Sequence, residues 1–353
     1  MPPVSNAAVP AATVGERIVR PEFTGTAREY FRIWIVNLFF TLITLGVYSA
    51  WAKVRKKRYF YGSTKLDGDS FDYFASPKAI LKGRIVAFVL LVVYAFSTEL
   101  YPASAYGFWA AFAFALPWLV VRALAFNARN SAWRGLRFDF TATPRETTKV
   151  YIGMPLVVLL TAGLAYPWFM ARQKSFVVSR HALGRSRFAC EAPARGFFAA
   201  YLIAGLLALI LLAPIGFLMI YALTKLELPE EYAWAALYVP IALMYVVYAL
   251  VYALVQARTA NLVWNAAYGS GVRFASTLSW GRLARLYVGN VIAAAATAGL
   301  LIPWAVVRTL RYRLENFSVA VDGDPVFDAN PTLERVGATG QEFGDIFNFD
   351  LGL

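Results

Sequence analysis

Charge is absent from seven stretches of the chain: residues 33–52, 85–98, 103–121, 150–171, 196–224, 232–256 and 286–307 contain no Asp, Glu, Lys or Arg. A bilayer's hydrocarbon core asks for about 20 apolar residues per helix. A soluble protein could bury one or two such helices, but seven would demand an implausibly large core. The pattern predicts a polytopic α-helical membrane protein. Between the apolar runs, aromatic and β-branched residues flank turn residues. Residues 58–64 run into Leu66-Asp67-Gly68 and then Ser70 to Tyr73. Ser175 to Val178 lead past Leu183-Gly184 to Arg187-Phe188-Ala189. Asn316 to Val321 meet Asp322-Gly323 and then Val326-Phe327. Each reads as a β-hairpin. Further short strands are expected at 136–140 and 272–275.

Three of the seven apolar stretches share the pattern Thr-x-Gly-x-x-x-x-Trp-x-x-x-Arg. The copies are Thr44, Gly46, Trp51 and Arg55; Thr161, Gly163, Trp168 and Arg172; and Thr297, Gly299, Trp304 and Arg308. Ten residues before each Thr stand Trp34, Tyr151 and Tyr287. The second and third copies also align upstream without a gap, Gly135 with Gly271 and Arg137-Phe138 with Arg273-Phe274. Such self-similarity predicts internal repeats. The expected organisation is a disordered N-terminus (1–20), repeat 1 (21–76), a helical hairpin (77–127), repeat 2 (128–192), a second helical hairpin (193–262), repeat 3 (263–328) and an acidic C-terminal tail (329–353).

The distribution of charge orients this arrangement. Net charge is +13, yet the basic residues gather beside apolar segments, where they act as topology determinants and headgroup contacts. No zinc-finger or RNA-binding signature accompanies them, so nucleic acid is not an expected partner. The connection 97–106 carries Glu99 and no basic residue, and 225–231 carries three Glu against one Lys. Both are expected outside the cytoplasm, which places both termini inside. Each motif segment, however, has basic flanks at both ends. Crossing segments would put a basic hairpin outside. Segments that dip in and return would keep every hairpin cytoplasmic and leave four true spans. The reading is four spanning helices plus three re-entrant segments, with kinked spanning segments as the alternative. The opening residues show no basic n-region or apolar h-region, so no cleavable signal is expected.

Candidate chemistry is sparse. Cys190 and His181 are the only residues of their kinds, which excludes an intrachain disulfide and a Cys/His metal cluster. No apolar segment holds a carboxylate, which counts against ion-coupled transport, and there is no phosphate loop. Asp67, Asp69 and Asp72, like Asp322, Asp324 and Asp328, fit turn chemistry better than a calcium loop. Ser270 lies outside any Gly-x-Ser-x-Gly elbow. No catalytic residue, metal or cofactor is expected, and no enzyme. Within the motif, Thr can satisfy backbone freed at a helix break, Trp can anchor at headgroup level, and Arg can bind phosphate. These residues set the bend, or else they surround a centre: Thr44, Thr161, Thr297, Asn37 and Asn290 would line it, while Trp51, Trp168 and Trp304 with Arg55, Arg172 and Arg308 would hold an anionic solute or lipid headgroup. The tail's Phe343, Ile346, Phe347 and Phe349, alternating with acids, are expected to dock on the cytoplasmic hairpins.

Phe23-Thr24-Gly25, Asn37, residues 44–48 with 51–55, Gly135 to Phe138, Gly299-Leu300 with Pro303-Trp304, and the closing residues 345–353 together resemble the YjgN-like bacterial inner-membrane proteins, a family filed under domain of unknown function 898. The resemblance covers nearly the whole chain. It implies the architecture and an inner-membrane location but no activity. The expected function is a channel, an uncoupled transporter or a lipid- or anion-handling protein. A scaffold presenting its cytoplasmic β-layer to a protein partner is the alternative. Anionic headgroups at the cytoplasmic face are the expected partners, and the sequence leaves the oligomeric state open.

Overall fold

The computed structural model describes residues 16–225 and 229–322, and within them helical hairpins alternate with short strands. Strands β1 (Glu16–Val19) and β2 (Glu22–Phe23) lead into α1 (Ala27–Ile43) and α2 (Ser49–Gly62). Strands β3 (Thr64–Leu66) and β4 (Asp69–Tyr73) precede the long pair α3 (Pro77–Leu100) and α4 (Ser104–Arg129). Strands β5 (Ser131–Trp133) and β6 (Leu136–Phe140) lead to α5 (Pro144–Thr148), a π-helical turn at Lys149–Gly153, α6 (Met154–Leu160) and α7 (Tyr166–Ser179). Strands β7 (His181–Leu183), β8 (Ser186–Arg187) and β9 (Ala189–Cys190) precede α8 (Ala194–Lys225) and α9 (Glu230–Trp264). Strands β10 (Ala267–Gly269) and β11 (Val272–Ser276), helices α10 (Trp280–Ala296) and α11 (Ile302–Glu315), and β12 (Phe317–Asp322) complete the order.

Among the described residues four helices are long and apolar enough to cross a membrane: Pro77–Leu100, Ser104–Arg129, Ala194–Lys225 and Trp234–Trp264. Large apolar side chains such as Leu91, Phe96, Phe114, Ile210 and Phe217 lie exposed along them, as expected of helices solvated by lipid rather than water. The three motif segments behave differently, because the chain reverses at each break. Tyr30 of α1 stacks on Tyr59 of α2 (centroids 5.8 Å apart), and nearer the break Phe40 meets Tyr48 at 5.1 Å. In the third copy Tyr287 of α10 meets Arg313 of α11, and Asn290 meets Thr309. In the second, Tyr151 packs against Phe176 at 6.3 Å. Each pairing runs antiparallel, so each motif segment is a helical hairpin and not one kinked rod.

The strands close on themselves. One sheet runs β1-β12-β11-β10-β9 and the other β2-β3-β4-β5-β6-β7-β8. The chain passes between them at both ends, from β1 to β2 across Arg20-Pro21 and from β8 to β9 across Phe188. Every strand pair is antiparallel, including β1 with β12. The result is a ring of strands at one end of the helices. Its interior is filled, as small barrels are. Val19, Val272, Val319 and Val321 form a buried cluster with Leu66, Phe188 and Phe274, drawn from both sheets. Trp133 reaches across β4 to donate its indole N–H to the Leu66 carbonyl (3.3 Å). The helices close the same circle, since α1 packs on α11 as well as on α2.

Several expectations change. Residues 16–19, expected to be disordered, form β1, and its full ladder with β12 explains why: Glu16 to Val19 pair with Asp322 to Val319. Residues 1–15 of the expected disordered end, and the acidic tail, lie outside the described residues. Residues 58–62 and 175–179 are helical, not strand. Their aromatic and β-branched side chains serve helix packing instead: Tyr59 and Phe60 clasp Tyr30, and Val177 and Val178 sit in two cores. Tertiary packing here overrides local propensity. The strands expected at 136–140 and 272–275 are β6 and β11. In the third expected hairpin, Phe317–Asp322 is a strand whose two edges are taken by β11 and β1, and the expected return strand at 326–327 lies outside the described residues.

Candidate functional site

The three breaks share one backbone geometry. At each, two residues after the Thr adopt positive φ: Leu45 and Gly46 at 48° and 93°, Ala162 and Gly163 at 49° and 89°, Ala298 and Gly299 at 47° and 88°. The glycine N–H reaches back five residues to the Thr41, Val158 or Ala294 carbonyl, 2.8 Å away in every copy. This is a Schellman-type helix end. It requires glycine at the second position because a side chain at such a φ is strained. The Thr joins the two limbs. Its hydroxyl donates to the carbonyl four residues back (Phe40, Val157 and Ala293; 2.7 to 2.8 Å). The same oxygen accepts the N–H four residues on, at Tyr48 (2.9 Å), Ala165 (3.1 Å) or Leu301 (3.1 Å). One hydroxyl thus serves the last turn of one helix and the N-cap residue of the next. Loose backbone ends are what an apolar surrounding penalises most.

Two contacts fix how far the breaks reach along the long helices. Arg84, seven residues into α3, donates to the Ser49 hydroxyl at the start of α2. Tyr201, seven residues into α8, meets Tyr166 at the start of α7 (5.3 Å). Seven helical residues span about 10 Å, so both breaks stop well short of the far ends of α3 and α8.

Asn37 and Asn290 each tie one hairpin together. The Asn37 amide donates to Ala52 O (3.4 Å), and that of Asn290 to Ala305 O (3.4 Å) and the Thr309 hydroxyl (2.9 Å). The equivalent position in the second copy is the buried Met154. The hydrogen bonds shown for the motif threonines and asparagines therefore lie within their own hairpins. Arg55, Arg172 and Arg308 are all exposed, and Trp51 and Trp168 are half-buried.

One motif Trp–Arg pair is gathered into a site. A groove of about 730 Å³ lies between the start of α1 and the α10–α11 hairpin, lined by Arg282, Arg285, Arg308, Arg311, Trp304 and Glu315 among others. The Arg308 guanidinium stacks on Trp304 (4.9 Å), and an added Cβ on Gly289 would lie 3.5 Å from its Nη1. Arg311 donates to Gly25 O (3.0 Å) and Arg285 to Gly281 O (3.4 Å). Four cations thus face one carboxylate, and neighbouring backbone and an indole hold three of them in place. Arg282, Arg285 and Arg311 were not among the expected site residues. Their signal was the spacing of three between 282 and 285 and between 308 and 311, which puts each pair on one helical face.

The remaining charged groups serve the strand ring. Asp67 in the β3–β4 turn takes Arg17 of β1 (2.6 Å) and Arg134 of the β5–β6 turn (2.9 Å). Hydrogen bonds from Arg17, and after it Arg134, hold its carboxyl below the usual carboxylate range. Arg134 also pairs with Asp69, and Arg273 with Glu16. Burial pushes the Cys190 thiol up, and its Sγ lies against Val263 O (3.5 Å). His181 bonds Val177 O (2.7 Å) and packs edge-on to Phe140. Among the described residues no three His, Cys, Asp or Glu side chains gather as a metal set.

A family model described as a bacterial protein of unknown function, DUF898, matches residues 19–346. Among curated proteins, the "Inner membrane protein YjgN" of Salmonella typhimurium strain LT2 is 27% identical over 139 residues, which cover 39% of this chain and 35% of that protein. The protein of the same name from Escherichia coli O157:H7 is 28% identical over 150 residues, 41% of this chain and 36% of its own length. The matches thus span about a third of the relatives' length. No solved structure matches.

Proposed function

The chain belongs to the bacterial family of unknown function DUF898, and from that premise we propose that it is a multi-pass inner-membrane protein that binds anionic lipid at the cytoplasmic surface. Both relatives are inner-membrane proteins by name, and four apolar helices provide the spans. In this reading α3, α4, α8 and α9 cross. The three motif hairpins dip in from the cytoplasmic side and return, and the filled strand ring sits beneath them in the cytoplasm with both termini. The antiparallel limbs, the shallow reach of the breaks along α3 and α8, and the basic flanks support it.

The observation that carries the binding role is the groove beside Trp304. Guanidinium groups match phosphate oxygens in a fork geometry that lysine lacks. The Trp304 indole under Arg308 is a side chain of the kind that anchors at headgroup depth. A lipid-binding role is favoured over a conduit through the strand layer, because a buried apolar cluster joins residues of both sheets there. Native mass spectrometry of the detergent-solubilised full chain tests the proposal. Phosphatidylglycerol should be retained over phosphatidylcholine, and replacing Arg282, Arg285, Arg308 and Arg311 together by Gln should abolish the preference. Equal retention of both lipids by the unaltered protein would sink it.

A further inference from the structure

The groove holds more cation than one phosphodiester can use. Arg282 and Arg285 project from one face of α10, and Arg308 and Arg311 from one face of α11. A guanidinium engages a phosphate most strongly through two parallel N–H···O bonds. A singly charged phosphodiester offers two non-bridging oxygens with about four acceptor sites between them, so two such forks saturate it. Four guanidinium groups against Glu315 alone leave a second phosphate's worth of donors unused. The volume, about 730 Å³, is that of a site for a whole small ligand and far exceeds a single phosphate.

Resting on the anionic-lipid reading above, we propose that the groove recognises a lipid carrying two phosphate groups, one held by the α10 arginine pair and one by the α11 pair. Three features make the ligand a lipid rather than a soluble diphosphate. Trp304 stands against Arg308 on the side toward the break and lines the same groove as the other three arginines. Beyond it the exposed Leu300, Leu301 and Ile302 continue the same limb as an apolar track, and Ile292 lies exposed on the opposite limb. A headgroup seated on the arginines therefore has its acyl chains led directly onto an apolar surface. The arginines are also set for this task before ligand arrives, since the Gly25 and Gly281 carbonyls and the Trp304 ring already restrict three of them, which reduces the ordering cost of binding.

Competition in nanodiscs containing the full chain tests the assignment. The probes are cardiolipin (two phosphodiesters), phosphatidylglycerol (one), phosphatidylcholine (zwitterionic) and inorganic pyrophosphate (two phosphates, no chains). Cardiolipin should bind about tenfold or more tighter than phosphatidylglycerol, the step expected of one further charge-assisted contact. Either double substitution, Arg282→Gln with Arg285→Gln or Arg308→Gln with Arg311→Gln, should bring cardiolipin down to the level of phosphatidylglycerol. Glu315→Gln, which removes the groove's carboxylate, should instead raise cardiolipin affinity, a gain that a misfolded variant could not produce. Equal affinity for cardiolipin and phosphatidylglycerol, both above phosphatidylcholine, would overturn the two-phosphate assignment and leave the lipid site standing. No preference over phosphatidylcholine would overturn both. Pyrophosphate competing as strongly as cardiolipin would overturn the lipid as the source of the phosphates.

Discussion

Gly163→Ala isolates the backbone cost of a helix break. Gly163 has φ of +89°, and a Cβ built there would meet nothing within 4 Å. The substitution therefore creates no clash, and its whole effect is the strain of an L-residue at left-handed φ. That strain is about 1–2 kcal/mol. Gly205 provides the opposite case. It lies within α8, where an added Cβ also meets nothing, and its φ is not left-handed. Ala should be favoured there by roughly 0.5–1 kcal/mol. The two substitutions add the same methyl group and should shift stability in opposite directions. The assay is thermal unfolding of the purified protein in one detergent, followed by tryptophan fluorescence. About 1 kcal/mol corresponds to roughly 2–4 °C in a domain of a few hundred residues. Combining Gly46→Ala with Gly163→Ala, where neither added Cβ meets anything within 4 Å, should cost about 2–4 kcal/mol, since separated sites add. If Gly163→Ala raised the melting temperature as Gly205→Ala does, the left-handed turn assigned to the motif would be wrong.

Three further outcomes follow from the same geometry. Ser63→Cys should react with a membrane-impermeant maleimide only in inverted vesicles, while the buried Cys190 stays silent in both orientations; labelling of Ser63→Cys from outside would reverse the topology. Asp67→Asn keeps a residue tolerant of left-handed φ but removes both arginine partners, and should cost about 1 kcal/mol at neutral pH, because such surface pairs are worth roughly 0.2–1 kcal/mol each. The Asp67 carboxyl is depressed in the folded state, so this contribution is full above its unfolded value near 4 and is lost as pH falls through the folded one; an Asp67→Asn melting curve showing the same acid slope as the unaltered protein would argue against it. Phe140→Ala, at a side chain 1% exposed in the core between α4 and α7, should destabilise by about 3–5 kcal/mol, measured in the same thermal assay.

What could be read from the sequence follows the range of the interactions involved. The four long helices were legible because an uninterrupted charge-free run is a local property. The breaks were legible as breaks, since Thr-x-Gly announces a turn, and the role of the threonine in satisfying freed backbone was foreseen. The helical state of residues 58–62 was not legible. Tyr59, Phe60 and Tyr61 favour a strand in isolation, and only Tyr30 and the core around Val54 and Ile80 make them helical. The groove was half legible. Trp304 and Arg308 stood in the motif, but Arg311 reaches Gly25, 286 residues away, and no spacing rule encodes that approach. The local bonding of the three threonines is the part that spacing encodes: each hydroxyl bonds within its own turn.

The pairing of β1 with β12 has a kinetic meaning. Arg17 finds Val321 across some three hundred residues, so the ladder that completes the ring forms last on a chain made from its N-terminus. Contacts of such sequence separation are slow to form because loop closure must come first. Until β12 is made, β1 and β11 each present an open edge, the kind of surface that recruits other strands. A chain shortened before Phe317 would keep all four long helices and all three breaks, yet would leave that gap permanently unfilled. Its expected failure is therefore self-association through the strand layer, with membrane insertion intact.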